Sequence, residues 1–259
     1  MKNINPRTLN YLLKKKKSVK LKLYNYTKRN SSFLGSCLSC LDVLVYLYYF
    51  KYDLTSNKKL RSRFILSKGH AAPNIYSILY DKKIISKREF YSKAAYWHPN
   101  KNIKCIDFQT GALGHGLPIG VGMAKFYNDK GAKSKIIVML GDGELNEGSL
   151  WESMLLAVKW KLKNLIIIID KNKFQANDKT EKILKINNIA KLFKEIGFQV
   201  LECNGHNYND INRKFMKISN IKPVLIIANT IRNFGIKEIQ NTKAYWFFDK
   251  SNKNISLLN

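Results

Sequence analysis

Gly141-Asp142-Gly143 follows the apolar run 136–140, and Asp170-Lys171-Asn172 follows the apolar run 165–169. A carboxylate and a side-chain amide oxygen are hard ligands suited to Mg2+ or Ca2+. The glycines on either side of Asp142 let the backbone approach a phosphate closely. Taken alone, the tripeptide reads equally well as a tight turn with a capping aspartate. Its pairing with Asn172, at the end of the next apolar run, favours a shared cation site. Cys37-Leu38-Ser39-Cys40 has the spacing of a redox or metal pair. It lies in a stretch predicted to be helical, and Cys105 and Cys203 add no ligand spacing, so a structural role is expected.

The elements that must position these residues follow from periodicity. Two continuous apolar runs joined by an amphipathic helix over 147–161 form a βαβ unit with a right-handed crossover. Trp151, Met154, Leu155 and Val158 are predicted to share that helix's inner face. Lys-rich and apolar helices are predicted over 7–29 and 37–51, and a strand over 64–66. A helix to about residue 80, a short one near 86–95 and one over 116–128 follow. Helix 188–196, strand 198–202, helix 208–219 and strand 224–228 complete the pattern. The alternation predicts an α/β fold: a doubly wound parallel sheet with helices on both faces. Ligands in such sheets sit beyond the carboxyl ends of the strands, where Asp142 and Asn172 fall. Residues 1–248 are expected to form one domain and 249–259 an irregular tail.

Composition narrows the class. The 259 residues are 45% hydrophobic and 12% aromatic, which excludes wholesale disorder. No apolar run approaches a membrane span and no secretory signal is visible, so a cytoplasmic, reducing location is expected. The net charge of +28 raises nucleic acid as a partner. Only seven of the 46 basic residues are Arg, however, and the lysines are strewn along the chain. Lys, Asn and Ile share A/T-rich codons, so base composition accounts for much of this charge. The run Lys14 to Lys17 is expected to be a solvated helix face rather than a polyanion contact.

Further motifs carry a family resemblance. Ser67-Lys68-Gly69-His70, Thr110-Gly111-Ala112-Leu113-Gly114-His115-Gly116, residues 141–151 (GDGELNEGSLW), 170–175 (DKNKFQ), Asn204-Gly205-His206 and Trp97-His98-Pro99 stand out. Together they resemble the motifs of transketolases, over about residues 25–248 and over the N-terminal, diphosphate-binding half alone. The resemblance implies the thiamine diphosphate-binding fold, with thiamine diphosphate and Mg2+ (or Ca2+) as cofactors. It implies that Asp142, Asn172 and the Phe174 carbonyl hold the cation, and that Gly143 and His70 contact the diphosphate. Gly111, Ala112 and Leu113 would meet the aminopyrimidine, with His98 and His70 acting in catalysis and His98 facing the substrate hydroxyl. Glu147 would lie near a subunit contact.

The sequence also departs from the family. Its HxGGS pattern stands here as Phe33-Leu34-Gly35-Ser36-Cys37, and its tryptophan–histidine pair as Trp246-Phe247. Its TxKGxG stands as Thr230-Ile231-Arg232-Asn233-Phe234-Gly235. Phe neither shuttles a proton nor donates a hydrogen bond. The cofactor site therefore reads as intact and the substrate site as altered. The resemblance implies two-carbon ketol transfer between sugar phosphates. It also implies a separate C-terminal, pyrimidine-binding subunit, in a paired assembly such as a heterotetramer. A cofactor-binding but altered or inactive protein of this kind, and a basic nucleic-acid-binding protein, are the alternatives.

Overall fold

The computed structural model describes residues 3–56, 59, 61–93, 96–176, 178–244 and 246–249. The chain opens with α1, Pro6–Asn30, whose Asn5 side chain accepts from the Thr8 amide at 2.8 Å and whose first residue is proline. Next come α2 (Leu34–Tyr46, continuing as a wider turn over Leu47–Lys51), β1 (Arg63–Leu66), α3 (Ala72–Asp81) and α4 (Lys87–Phe90). Then follow α5 (Gly116–Asp129), β2 (Ile136–Gly141), α6 (Gly148–Lys159) and β3 (Leu165–Lys171). A small antiparallel pair, β4 (Phe174–Gln175) and β5 (Asp178–Lys179), leads to α7 (Thr180–Ile183) and α8 (Ile189–Ile196). β6 (Gln199–Asn204), α9 (Tyr208–Phe215) and β7 (Val224–Asn229) complete the order.

Five strands form a parallel sheet in the order β1-β2-β3-β7-β6. Alternate residues of each central strand feed two cores, one on each face. Ile137, Met139, Ile166, Ile168 and Ile226 pack with α1, α2, α3 and α9. Val138, Leu140, Ile167, Ile169 and Ile227 pack with α5, α6 and α8. A strand buried on both faces must be apolar throughout, which is why periodicity of two is absent from β2 and β3. The doubly wound architecture read from the sequence is the one observed.

Several expectations need correction. Residues 34–51 are apolar enough by length and composition to cross a membrane, contrary to the sequence reading, but 78% of that window is buried inside the protein. It is the central core helix. The lysine run is not simply a solvated face: Lys15 pairs with Asp81 at 2.9 Å and Lys16 with the buried Asp42 at 2.8 Å. On α6, Leu150, Ser153, Met154 and Ala157 face inward, whereas Leu155 is 61% exposed. α9 stops at Phe215, short of the expected end at 219, and the Gln199 side-chain amide takes up backbone groups just beyond it. That amide donates to the Lys217 carbonyl and accepts from the Ser219 amide, at 2.8 and 2.7 Å. α4 is one turn within the longer helix expected near 86–95, and residues 94 and 95 lie outside the described residues. Of the expected tail, all but Asp249 lies outside them too.

α5 lies close to the sheet at Gly120, where an added Cβ would come within 2.3 Å of Val138 Cγ2. Gly120→Ala is therefore expected to lower unfolding free energy by ~1–3 kcal/mol through overpacking, measured as a shift in the urea midpoint.

Candidate active site at the strand ends

In the β2–β3 ladder Gly141 pairs with Asp170. That register places the two loop tips side by side beyond the sheet. The contact is direct: Asp142 Oδ2 accepts from the Lys173 amide at 2.7 Å, and Asp142 Oδ1 from the Gly143 amide at 3.1 Å. Asn172 Oδ1 accepts from the Phe174 amide at 2.9 Å. A cavity of about 330 Å³ opens over these tips. Of the residues expected in the site, His70, His98, Gly111, Leu113, Asp142, Gly143, Asn172 and Phe174 all line it. Ala112 does not; it is solvent-exposed between two residues that do. Glu147 sits at the N-cap of α6, after a tight turn over Asp142–Asn146.

Beneath the cavity lies a buried ion pair between Lys68 and Asp170, each 1% exposed. Burial opposes ionisation of both. The Asp170 carboxylate nonetheless raises the Lys68 ammonium above its ordinary range. Lys68, with hydroxyl hydrogen bonds from Ser39 and Thr230 at 2.5 Å each, holds Asp170 below the usual carboxylate range. Lys68 also donates to the Ser36 carbonyl at 3.0 Å, and Asn172 Nδ2 to Asp170 at 3.2 Å. This network locks α2, β1, β3 and β7 to one another at the site. Glu144 ties a second knot: it accepts from Ser67 Oγ at 2.5 Å and from the Gly141 and Gly114 amides at 2.8 and 3.0 Å.

The site's own carboxylate is left differently. Asp142 is 7% exposed and makes no ion pair among the described residues. Burial, with the nearby Asp170 charge, pushes its carboxyl up to about 7. A buried carboxylate with oxygen neighbours and no cation fits a site built for a divalent ion. Among the described residues no cluster of three His, Cys, Asp or Glu side chains marks a metal centre. The candidate set is one carboxylate with neutral oxygens from Asn172 and Phe174. Gly143 lets Gln175 close against the turn, since an added Cβ would come within 2.8 Å of Gln175 Cγ.

His70 Nε2 lies 2.7 Å from Ser36 Oγ, and burial together with Lys68 lowers its pKa to about 3, so the imidazole is neutral. His98 is held by its backbone, whose carbonyl accepts from Tyr76 Oη at 2.5 Å, and partial burial lowers its pKa too. Sequence reasoning missed Ser36, Lys68, Glu144, Gln175 and Trp246, which line the same cavity. Arg232, in one of the departing motifs, is 5% exposed and borders the site. Its guanidinium lies 5.2 Å from the Phe174 ring centroid and donates to the Ala176 carbonyl at 2.9 Å. The cysteines are free, and burial pushes the Cys40 thiol up to about 12, in keeping with a structural role.

A family model described as "Transketolase, thiamine diphosphate binding domain" matches residues 19–247. The chain belongs to the transketolase family. It is 37% identical over 252 residues to one subunit of an apulose-4-phosphate transketolase from Actinobacillus succinogenes, covering 92% of this chain and 91% of that protein. The subunit of the same name from Phocaeicola vulgatus is 37% identical over 224 residues, covering 82% and 79%. A solved structure of transketolase from Campylobacter jejuni superposes with a TM-score of 0.80 at 30% identity, over 93% of this chain. The match covers 40% of that transketolase. The thiamine diphosphate-binding fold expected from the motifs is thus the fold of this chain.

Two measurements probe the site without any ligand. Lys68→Met leaves Asp170 buried and unpaired, and is expected to cost ~3–5 kcal/mol in denaturant unfolding. Asp142 holds its proton to higher pH folded than unfolded. Its contribution to stability is therefore fully present below about pH 4 and is lost as pH rises through about 7. Asp142→Asn is expected to flatten that loss, so the variant gains on the wild type between those limits in the absence of divalent cations.

Proposed function

We propose that this chain is the cofactor-gripping subunit of a two-subunit transketolase. It transfers a two-carbon ketol unit from a ketose phosphate to an aldose phosphate. The observation that carries this reading is the Gly141–Asp170 register, which gathers Asp142, Gly143, Asn172 and Phe174 on one cavity together with His70 and His98. Thiamine diphosphate, when bound, supplies the carbanion chemistry that breaks and remakes a carbon–carbon bond beside a ketone.

This chain's residues bind and orient. Asp142, Asn172 and the Phe174 carbonyl would hold Mg2+ (or Ca2+), and the Gly143 amide and His70 would take the diphosphate. The backbone of Gly111 and Leu113 would meet the aminopyrimidine. His98, neutral near pH 7 and held at its carbonyl by Tyr76, would hydrogen-bond a substrate hydroxyl. The name of the two relatives puts apulose 4-phosphate among the donors to test.

The naming of both relatives as one subunit of a transketolase supports a separate partner subunit; the partner proposed is a C-terminal, pyrimidine-binding chain, with two copies of each in a heterotetramer. Leu113, Leu155 and Leu156 are exposed, as residues at a subunit contact would be in an isolated chain. The free thiols suit a reducing, cytoplasmic setting.

Calorimetry on the reconstituted complex tests the reading. Thiamine diphosphate should bind in the presence of Mg2+, and Asp142→Ala should abolish the metal-dependent part. Affinity for Mg2+ should rise with pH through about 7, because the Asp142 carboxyl must lose its proton to ligate. Full ketol transfer by this chain alone would exclude the partner, and cofactor binding without turnover of any ketose phosphate would favour the inactive alternative.

A further inference from the structure

The last described stretch returns across the start of α2. Ser32 and Phe248 form an isolated antiparallel bridge, exchanging backbone hydrogen bonds of 2.9 and 2.8 Å. The Phe33 and Phe247 ring centroids lie 4.9 Å apart. Trp246 reaches a recess beside the cavity, lined also by Ser36, His70, Asn172 and Arg232. Arg232 brings a full charge to that recess. It is buried, it pairs with no carboxylate among the described residues, and its Nε has no hydrogen-bond partner there. Nη1 donates to the Ala176 carbonyl at 2.9 Å. Otherwise the guanidinium goes where its own backbone carries it.

That backbone leaves the end of β7 and is held by His206. The Ile231 amide donates to His206 Nε2 at 2.9 Å, and His206 Nδ1 lies 2.9 Å from Asp42 Oδ2. A backbone amide only donates, so Nε2 carries a lone pair and the proton of the neutral ring sits on Nδ1, toward Asp42. Asp42 is buried on α2 and is itself held by Lys16 of α1 at 2.8 Å. The Phe234 ring stacks on the imidazole, with centroids 3.6 Å apart and planes 14° from parallel, which fixes the plane of the ring. On either side of Ile231 the chain meets the site. Thr230 Oγ1 donates to Asp170 at 2.5 Å, and Arg232 lines the recess. His206 lines neither cavity nor recess, yet it grips the residue between two that serve them.

We propose that His206 is a positioning residue for the active cavity: the Nε2 lone pair, set by Asp42, fixes the backbone at Ile231 and so places Arg232 where an anionic ligand meets its charge. The proposal rests on the thiamine diphosphate-dependent reading above, and adds to it a residue that touches neither cofactor nor substrate. Charge fixed in advance favours binding. A ligand that must first draw the segment back into place loses that part of its affinity.

Two substitutions separate the ring nitrogens. His206→Gln sets an acceptor oxygen near the place of Nε2 and gives up Nδ1. His206→Asn sets an amide near the place of Nδ1 and gives up Nε2. Both remove the Phe234 stack, and both should lower the urea midpoint. Calorimetry on the reconstituted complex with Mg2+ gives the Kd for thiamine diphosphate. It is expected to rise about tenfold in His206→Asn, as for the loss of one hydrogen bond, and less than about threefold in His206→Gln. Hydrogen exchange of the Ile231 amide, read by nuclear magnetic resonance in the full chain without cofactor, should follow the same order: protection kept in His206→Gln and lost in His206→Asn. A purely structural role predicts instead that the Kd values track the urea midpoints. Full-length wild type labelled with 15N-histidine should carry the proton of the neutral His206 ring on Nδ1.

Equal Kd values in the two variants overturn the proposal, as do Kd values that track the urea midpoints. Ile231 exchange left unchanged by His206→Asn, or a His206 proton on Nε2, overturns it as well. The label needs no substitution, so it tests the assignment even where His206→Asn fails to assemble. A wild-type complex that binds no thiamine diphosphate overturns the underlying reading, and this one with it.

Discussion

The Lys68–Asp170 pair is the constraint on which the site depends. Each charge would be expelled from the interior if the other were absent, so neither can move without the other. Lys68 comes from the turn after β1 and Asp170 from the end of β3, with β2 between them. The pair therefore clamps the carboxyl ends of three adjacent strands, and Ser39 and Thr230 extend the clamp to α2 and the end of β7. The loop tips beyond Asp170 inherit that rigidity. Asn172 is two residues away and donates to the same carboxylate. A fixed foundation would let a ligand set as spare as one carboxylate and two neutral oxygens hold its geometry.

The buried acids differ in what pairs with them. Asp42, Asp81, Asp107 and Asp170 are each paired with basic side chains, through Lys16, Lys15 with Lys22, Arg61 with Arg63, and Lys68. Glu144 lacks a cation among the described residues, but a hydroxyl and two amides satisfy it. Asp142, at the same cavity, has only the Lys173 and Gly143 amides as hydrogen-bond partners among the described residues. Its environment sets it against ionisation, in the region where a cofactor with a diphosphate would bring a metal.

Much of this was legible in the sequence. β2 and β3 are unbroken apolar runs, and only a strand covered on both faces reads that way. Their polar ends had to fall together because consecutive βα units twist in one sense. Gly111, Leu113, His70 and His98 followed from motifs. Lys68 was hidden inside the motif that exposed His70, because a lysine among 39 lysines carries no signal until its burial is known. Ala112 is exposed like Gly111 and Leu113 on either side of it, but only those two line the cavity. Leu155 breaks the predicted face: the buried residues of α6 are Leu150, Ser153, Met154 and Ala157, and Leu155 lies outside that stripe. No spacing rule brings Phe33 to Phe247; only a pairing between distant segments does so.

That pairing ties the site to the timing of the chain's own folding. Ser32 and Phe248 are separated by more than two hundred residues, so their bridge closes a loop that spans nearly the whole sheet. Closure of so long a loop gains little until the intervening strands are in place. During synthesis the Asp142 and Lys173 tips can meet once the chain just beyond β3 has emerged, while the Phe33–Phe247 contact must wait for the last stretch. The nascent domain thus completes the lining of its cavity only when Trp246 is in place.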